Sequence, residues 1–357
     1  MKHRTTVSID GQAFCINGQP TYAGRTWRGM KIEGLLMNSR MVQAIFDDLN
    51  PDTRNWWDYP DGPWDADRNT TEFIAALPVW RQHGLLGVAF NLQGGSPRGY
   101  SKTQPWHNST FNADGSMRDD YIARLARVLD ALDSHGMVAI VGLFYFGQDE
   151  RLADEAAVIR ATDNAVDWMA DHRYTNVIIE IANEVDVPKY EHAILCPPRV
   201  HELIGRVQQR TTGKVDSQAG RLLVGTSMGG GAIPPDNIIA CSDFLLLHGN
   251  GVGETRGGVL GRGKPDGIRA MVDTCRGSKS FRGPILFNED DHFDFDQPDN
   301  NMIAAVSRYA GWGLFDWRYQ SEGFEQGYQS MPCDWGLSSD RKRGFFKLLA
   351  DITGSSD

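Results

Sequence analysis

Long apolar runs, paired cysteines and basic stretches are all missing from this 357-residue sequence. No segment approaches eighteen consecutive apolar residues, so a membrane-spanning helix is not expected. Lys and Arg number 36 against 46 Asp and Glu, a net charge of −10, and the basic residues form no run or stripe. Neither a nucleic-acid groove nor an anionic membrane surface is therefore an expected partner. The five cysteines, Cys15, Cys196, Cys241, Cys275 and Cys333, are odd in number and never stand as Cys-x-x-Cys. That usage argues against a disulfide framework or a zinc site and suits a reducing compartment. The opening stretch, MKHRTTVSIDGQAFCINGQPTY, lacks the apolar core of a signal peptide. Residues 1–22 read instead as a hairpin, and a cytoplasmic location is expected. No glycine-rich phosphate loop follows the late hydrophobic runs, so no phosphate-bearing cofactor is implied.

What is present is the composition of a folded α/β chain: 41% hydrophobic, 23% charged and 10% aromatic residues, with ten tryptophans. No linker or low-complexity tract divides it, so residues 1–357 read as one domain. Short apolar runs recur at 84–91 (GLLGVAFN), 137–145 (MVAIVGLFY), 177–182 (VIIEIA) and 222–226 (LLVGT). They continue at 244–248 (FLLLH), 284–287 (PILF) and 311–316 (GWGLFD), with a first strand expected within 22–37. Runs without in–out alternation suit strands covered on both faces, as in a parallel sheet. Helical patterns lie between them at 118–135, 149–171, 198–211 and 266–274. In 118–135, Tyr121, Leu125, Val128, Leu129 and Leu132 share one face, and Gly136 provides a stop. Eight such units in this length predict a (β/α)8 barrel with an N-terminal hairpin and enlarged βα loops. A doubly wound open sheet is the structural alternative.

In a barrel, functional groups belong at the carboxyl ends of strands. The fourth run ends IIEIANEVD, placing Asn183 and Glu184 there, and the seventh ends PILFNEDDHF, placing Glu289 and Asp290 there. Two carboxylates from different strands at one mouth suit chemistry on a glycosidic bond, one protonating the leaving oxygen and the other meeting the sugar cation. Alternatively, each simply caps the helix that follows.

An apolar strand ending in Asn-Glu, followed about a hundred residues later by one ending in Glu, resembles glycoside hydrolase clan A. These are (β/α)8 retaining glycosidases of cellulase-like form. The resemblance implies an acid/base role for Glu184, with Asn183 beside it, and a nucleophilic role for Glu289. FCINGQPTY is similar to the short hairpin preceding many such barrels. His248 ends the sixth run, where the clan often has a His or Tyr near the nucleophile. Trp312 and Trp317 flank the eighth, where it usually has a sugar-stacking Trp. Core packing is the competing account for each of these last three.

Further constellations carry two readings apiece. Asp290, Asp291 and His292, with Asp294 and Asp296, form either a rim for sugar hydroxyls or a solvated acidic loop. The spacing lacks the glycine turn of a calcium loop, and no metal is expected. Trp56, Trp57 and Trp64, crowded into NWWDYPDGPW, are either sugar platforms or a satellite core beneath a loop. Arg40 and Asn91 stand near runs one and two as hydroxyl donors or as structural groups. A competing motif, Gly225-Thr-Ser227-Met-Gly229, formally matches the nucleophile elbow of serine esterases. Gly229–Gly231, Pro234 and Pro235 follow it, where an elbow needs a helix. The expectation is thus a cofactor-independent retaining glycosidase using Glu184 and Glu289, exo-acting on a short neutral carbohydrate. An endo-acting β-glycanase of the same clan and a serine esterase are the alternatives. Sugar identity and oligomeric state are not legible.

Overall fold

Apolar strands with no polar face need cover on both sides, and helices packed around a closed parallel barrel supply it. The computed structural model describes residues 3–98, 103–253, 262–319 and 321–355. Its barrel strands are β1 (Asn38–Arg40), β2 (Gly87–Asn91), β3 (Val138–Tyr145) and β4 (Val177–Asn183). They continue as β5 (Leu223–Gly225), β6 (Leu245–His248), β7 (Ile285–Glu289) and β8 (Gly313–Phe315). After each strand comes a helix: α1 (Ala66–Gln82), α2 (Asp119–Ser134), α3 (Glu155–Asp171) and α4 (Val200–Thr211). The series ends with α5 (Asp236–Cys241), α6 (Pro265–Gly277), α7 (Asn301–Ser307) and α8 (Asp340–Thr353).

Six strands pair in the order β5-β4-β3-β2-β1-β8, and β6 pairs with β7. Single bridges close the ring: Ser227 with Leu246 between β5 and β6, and Leu286 with Gly311 and Asp290 with Leu314 between β7 and β8. The expected (β/α)8 barrel is therefore present, and the open sheet is not. One apolar core fills the space between barrel and helices. A second lies at the amino ends of the strands, where Leu36, Leu86, Val138, Ile178, Leu223 and Phe244 meet Val7 and Phe14. Those two come from the N-terminal hairpin, Val7–Asp10 paired antiparallel with Ala13–Ile16, which plugs the bottom of the barrel.

The first strand departs from expectation. Residues 22–37 hold only a small hairpin, Thr26–Trp27 with Met30–Lys31, and β1 begins after them. Its sequence, Asn-Ser-Arg, has no apolar residue because its side chains work inside the barrel. Asn38 Nδ2 donates across the interior to the carbonyl of Phe287 at 2.9 Å, and Arg40 reaches β4. Helix α1 was masked by the Pro78 it contains. Its start is fixed by Asp65, whose carboxylate accepts from the amides of Asp67 and Arg68. The 149–171 pattern resolves into a 3-10 turn, Asp149–Arg151, and α3. Among the described residues no helix is long and apolar enough to cross a membrane.

Candidate active site

Strand register decides which side chains meet at the carboxyl end. Tyr145 on β3 pairs with Asn183 on β4, and His248 on β6 pairs with Glu289 on β7 after a bulge at Leu247/His248. Glu184 follows β4 with φ of 52°, a left-handed conformation that a non-glycine residue adopts only under constraint. Its amide donates to Ser227 Oγ at 3.1 Å. One carboxylate oxygen each from Glu184 and Glu289, together with a His248 ring nitrogen, lie within 4.8 Å of one another. His248 Nδ1 is 3.0 Å from Glu184 Oε1 and 3.6 Å from Glu289 Oε2. Both carboxylates are buried, at 6% and 5% exposure.

Cations and amides frame this pair. Arg40 Nε stands 2.7 Å from Glu289 Oε2, and Asn250 Nδ2 donates to Glu289 Oε1 at 2.8 Å. The same guanidinium donates to Asn183 Oδ1 at 2.5 Å and pairs with Glu180 Oε2 at 3.4 Å. Glu180, wholly buried on β4, also accepts from Ser227 Oγ at 2.6 Å and Asn288 Nδ2 at 3.4 Å. Asn183 Nδ2 and His248 Nε2 are buried and make no hydrogen bond among the described residues. Such groups are costly to leave unpaired, and here they are what a bound hydroxyl can satisfy.

Charge follows from crowding. Burial pushes the Glu289 carboxyl up to about 7; His248 and Arg40 oppose the rise, and Glu184 and Glu180 add to it. For His248 burial acts downward, but Glu289 and Glu184 outweigh it and the imidazole is held above its ordinary value. Burial, then Glu289 and Glu184, push the Tyr145 hydroxyl well up, so it stays protonated beside them, 3.2 Å from Ser96 Oγ. Three carboxylates (Glu180, Glu184, Glu289) thus face Arg40 and His248.

Asn183, Glu184, His248 and Glu289 converge as expected, and the other predicted residues separate into groups. Arg40 joins the site but spends its guanidinium on Glu289, Asn183 and Glu180, so it is not a free sugar donor. Asn91 ends β2 buried against Gly142, with both amide atoms lacking partners among the described residues. Trp317 lies half-buried past β8, its ring 4.2 Å from that of Tyr319. Trp312 is corrected: it has 0% exposure, packs on Phe295 and Phe345, and donates to Asp290 Oδ2 at 3.0 Å. No sugar can stack there. Trp57 and Trp64 are corrected likewise: both pack edge-on against Phe46 within the main core, with indoles donating to Asp48 and Asp47. Trp56 alone of the three is open, at 43% exposure, with the Arg98 guanidinium 4.9 Å from its ring.

Asp290 is not a rim group either. It is fully buried and accepts from Trp312 Nε1 and Asn301 Nδ2, with His292 Nδ1 at 2.5 Å. His292 is buried with it, and Asp291 is half-buried. Two clusters, Glu184–His248–Glu289 and Asp290–Asp291–His292, have metal-ligand types within reach of one another. In each, protein donors already occupy carboxylate oxygens, which fits hydrogen bonding better than coordination. The elbow motif is not built as one: Ser227 Oγ serves Glu180 and the Glu184 amide, and the next helix starts only at Asp236. Sequence reasoning missed Glu180, Asn250 and Tyr145. For Glu180 the signal was there, a single acid inside the otherwise apolar VIIEIA.

Comparison with known proteins places this architecture. No family model matches the chain, and no curated protein matches it in sequence. Solved structures do match in fold. The endo-1,4-β-mannanase of Rhizomucor miehei aligns over 98% of this chain and 100% of its own, with TM-score 0.60 at 12% identity. A family 5 glycoside hydrolase from Bacteroides vulgatus aligns over 96% and 70%, with TM-score 0.58 at 11% identity. An exo-β-1,4-mannosidase from Opitutaceae bacterium strain TAV5 aligns over 97% and 62%, with TM-score 0.53 at 15% identity. The protein thus has the cellulase-like (β/α)8 fold of these enzymes, at identities that speak to fold alone.

Proposed function

We propose that this protein is a retaining glycoside hydrolase, with Glu289 as nucleophile and Glu184 as acid/base. The observation that carries the reading is that one oxygen of each of these two buried carboxylates lies within 4.8 Å of one oxygen of the other at the carboxyl ends of β4 and β7, a proximity that favours a retaining over an inverting pair. Retaining pairs stand about 5–5.5 Å apart, whereas inverting pairs leave about 6.5–9.5 Å for a water. Glu289 attacks the anomeric carbon as Glu184 gives its proton to the departing glycosidic oxygen, leaving a glycosyl ester on Glu289. Glu184, now ionised, takes a proton from water, whose oxygen attacks the same carbon and frees Glu289. Before the first step one proton must reside on the pair. Arg40 and Asn250 each address one oxygen of Glu289, and the Arg40 charge opposes the rise that burial imposes on that carboxyl. Asn183 Nδ2 and His248 Nε2 are the free donors for ring hydroxyls, and Trp317 is the candidate stacking face.

The substrate we propose is a short neutral glycoside cleaved from its end. Contacts among the loops that follow β1, β2 and β8 support a mouth narrowed on that side. Met331 N donates to Pro97 O at 2.8 Å, and Gln43 Nε2 to Gly95 O at 2.8 Å. The structural neighbours named as mannanase and mannosidase support a neutral sugar. The deciding experiment pairs a panel of neutral nitrophenyl pyranosides and furanosides with Glu289→Ala. Turnover should fall by about 10⁴-fold or more, and azide or formate should restore part of it as glycosyl azide or formate. Undiminished turnover in Glu289→Ala overturns the assignment, and a first product of inverted configuration overturns retention. Release of long oligosaccharides from a polymer would favour the endo alternative.

A further inference from the structure

Beneath the proposed pair lies a third acid with no part in the steps above. Glu180 is on β4, four residues before Glu184, with 0% exposure. Its Oε2 faces Arg40 Nη1 at 3.4 Å, and Arg40 is the cation at Glu289. Its Oε1 accepts from Ser227 Oγ at 2.6 Å, and Ser227 Oγ accepts in turn from the Glu184 amide. A serine hydroxyl has one proton. Given to Glu180, it leaves the oxygen's lone pairs facing Glu184 N. The same carboxylate thereby holds one arm to each member of the pair, and it helps restrain Glu184 at φ 52°.

We propose that Glu180 is a positioning residue for both Glu184 and Glu289, acting through Ser227 and Arg40; the proposal rests on the glycosidase reading for its kinetic consequences. An acid is required because both arms demand an acceptor. In Glu180→Gln the amide turns its oxygen toward either Arg40 or Ser227 and presents an NH2 to the other. Toward Arg40 that NH2 meets a group that cannot accept; toward Ser227 it forces the hydroxyl to accept a second time and leaves its own hydrogen without Glu180. A buried charge is also removed from a cluster in which Glu184, Glu289, Arg40, His248 and Tyr145 all face one another, and Glu180 is among the groups holding the Glu289 proton on.

The test combines Glu180→Gln with Ser227→Ala, which cuts only the arm to Glu184. Misplacement of a reacting group by about 1 Å costs about 10²-fold. Accordingly kcat should fall about 10²-fold in Glu180→Gln and about 10-fold in Ser227→Ala, with KM changed less than about threefold. The acid limb of the pH–rate profile should move down in Glu180→Gln, because loss of a nearby negative charge eases ionisation of Glu289. A merely structural role would lower Tm and leave that limb in place. Should Glu180→Gln fail to fold, Ser227→Ala at wild-type kcat overturns the proposal. A wild-type protein silent on every glycoside would defeat the functional reading instead. Positioning is then read from a crystal structure of Glu180→Gln, where retention of Glu184 in the left-handed region with the Arg40–Glu289 contact intact would overturn it.

Discussion

Glu289 shows what a buried carboxyl gives up for its position. Its value of about 7 lies above that of a free glutamate, so the folded state favours the protonated form. The stability it contributes is complete below the free-carboxyl range and is lost as pH rises through about 7. At pH 8 the charged, buried group should cost the wild type on the order of 3 kcal/mol relative to an uncharged isostere. Glu289→Gln should therefore raise Tm at pH 8 and lose most of that advantage at pH 5; an equal gain at both would refute the charge argument. Among the tryptophans, Trp312→Ala should cost about 3–5 kcal/mol as a core truncation. Trp317→Ala should change stability little and raise KM. A Trp312→Ala protein of native stability with raised KM would reverse those assignments. The Asn183-Glu184 and Glu289 positions were legible because each ends an apolar run. The roles of the tryptophans were not, since residue type reveals apolar area but not whether it faces a helix or the barrel mouth.

Elements were legible where periodicity was undisturbed. The later strands announced themselves as apolar runs because helices cover them. β1 did not, because Asn38 and Arg40 spend their side chains across the barrel interior, where polar groups find partners. Pro78 hid α1, whose length and Asp65 cap outweigh one missing amide hydrogen. Removing that cap in Asp65→Ala should lower stability by about 1 kcal/mol, measured by denaturant unfolding, and leave KM unchanged. The N-terminal hairpin closes the end of the barrel opposite the site, with Phe14 buried against Phe244. Phe14→Ala should cost about 3–5 kcal/mol without altering the pH–rate profile. A shifted profile would mean that the plug communicates with the pair.

At the scale of the whole molecule, the charge of −10 sets the long-range field that a substrate meets. With one proton on the Glu184–Glu289 pair, the remaining negative charges at the site only balance Arg40 and His248, so it is the net negative field of the whole chain that should disfavour anionic substrates beyond any steric misfit. A nitrophenyl uronide should show kcat/KM at least about 10-fold below that of its neutral counterpart, with the gap narrowing as salt rises. Equal rates at low salt would contradict this. The sequence by itself determined the strand–helix rhythm, the apolar core and the two strand-terminal glutamates, because these depend on local order and on residue chemistry. Tertiary structure alone decided that Arg40 serves Glu289 and that Trp312 packs inward. It also decided that Ser227 bridges two glutamates and that Glu180 lies beneath the pair. Each of those arrangements joins residues from separate elements, and only closure of the barrel, the register of its strands and the docking of its helices bring them within contact distance.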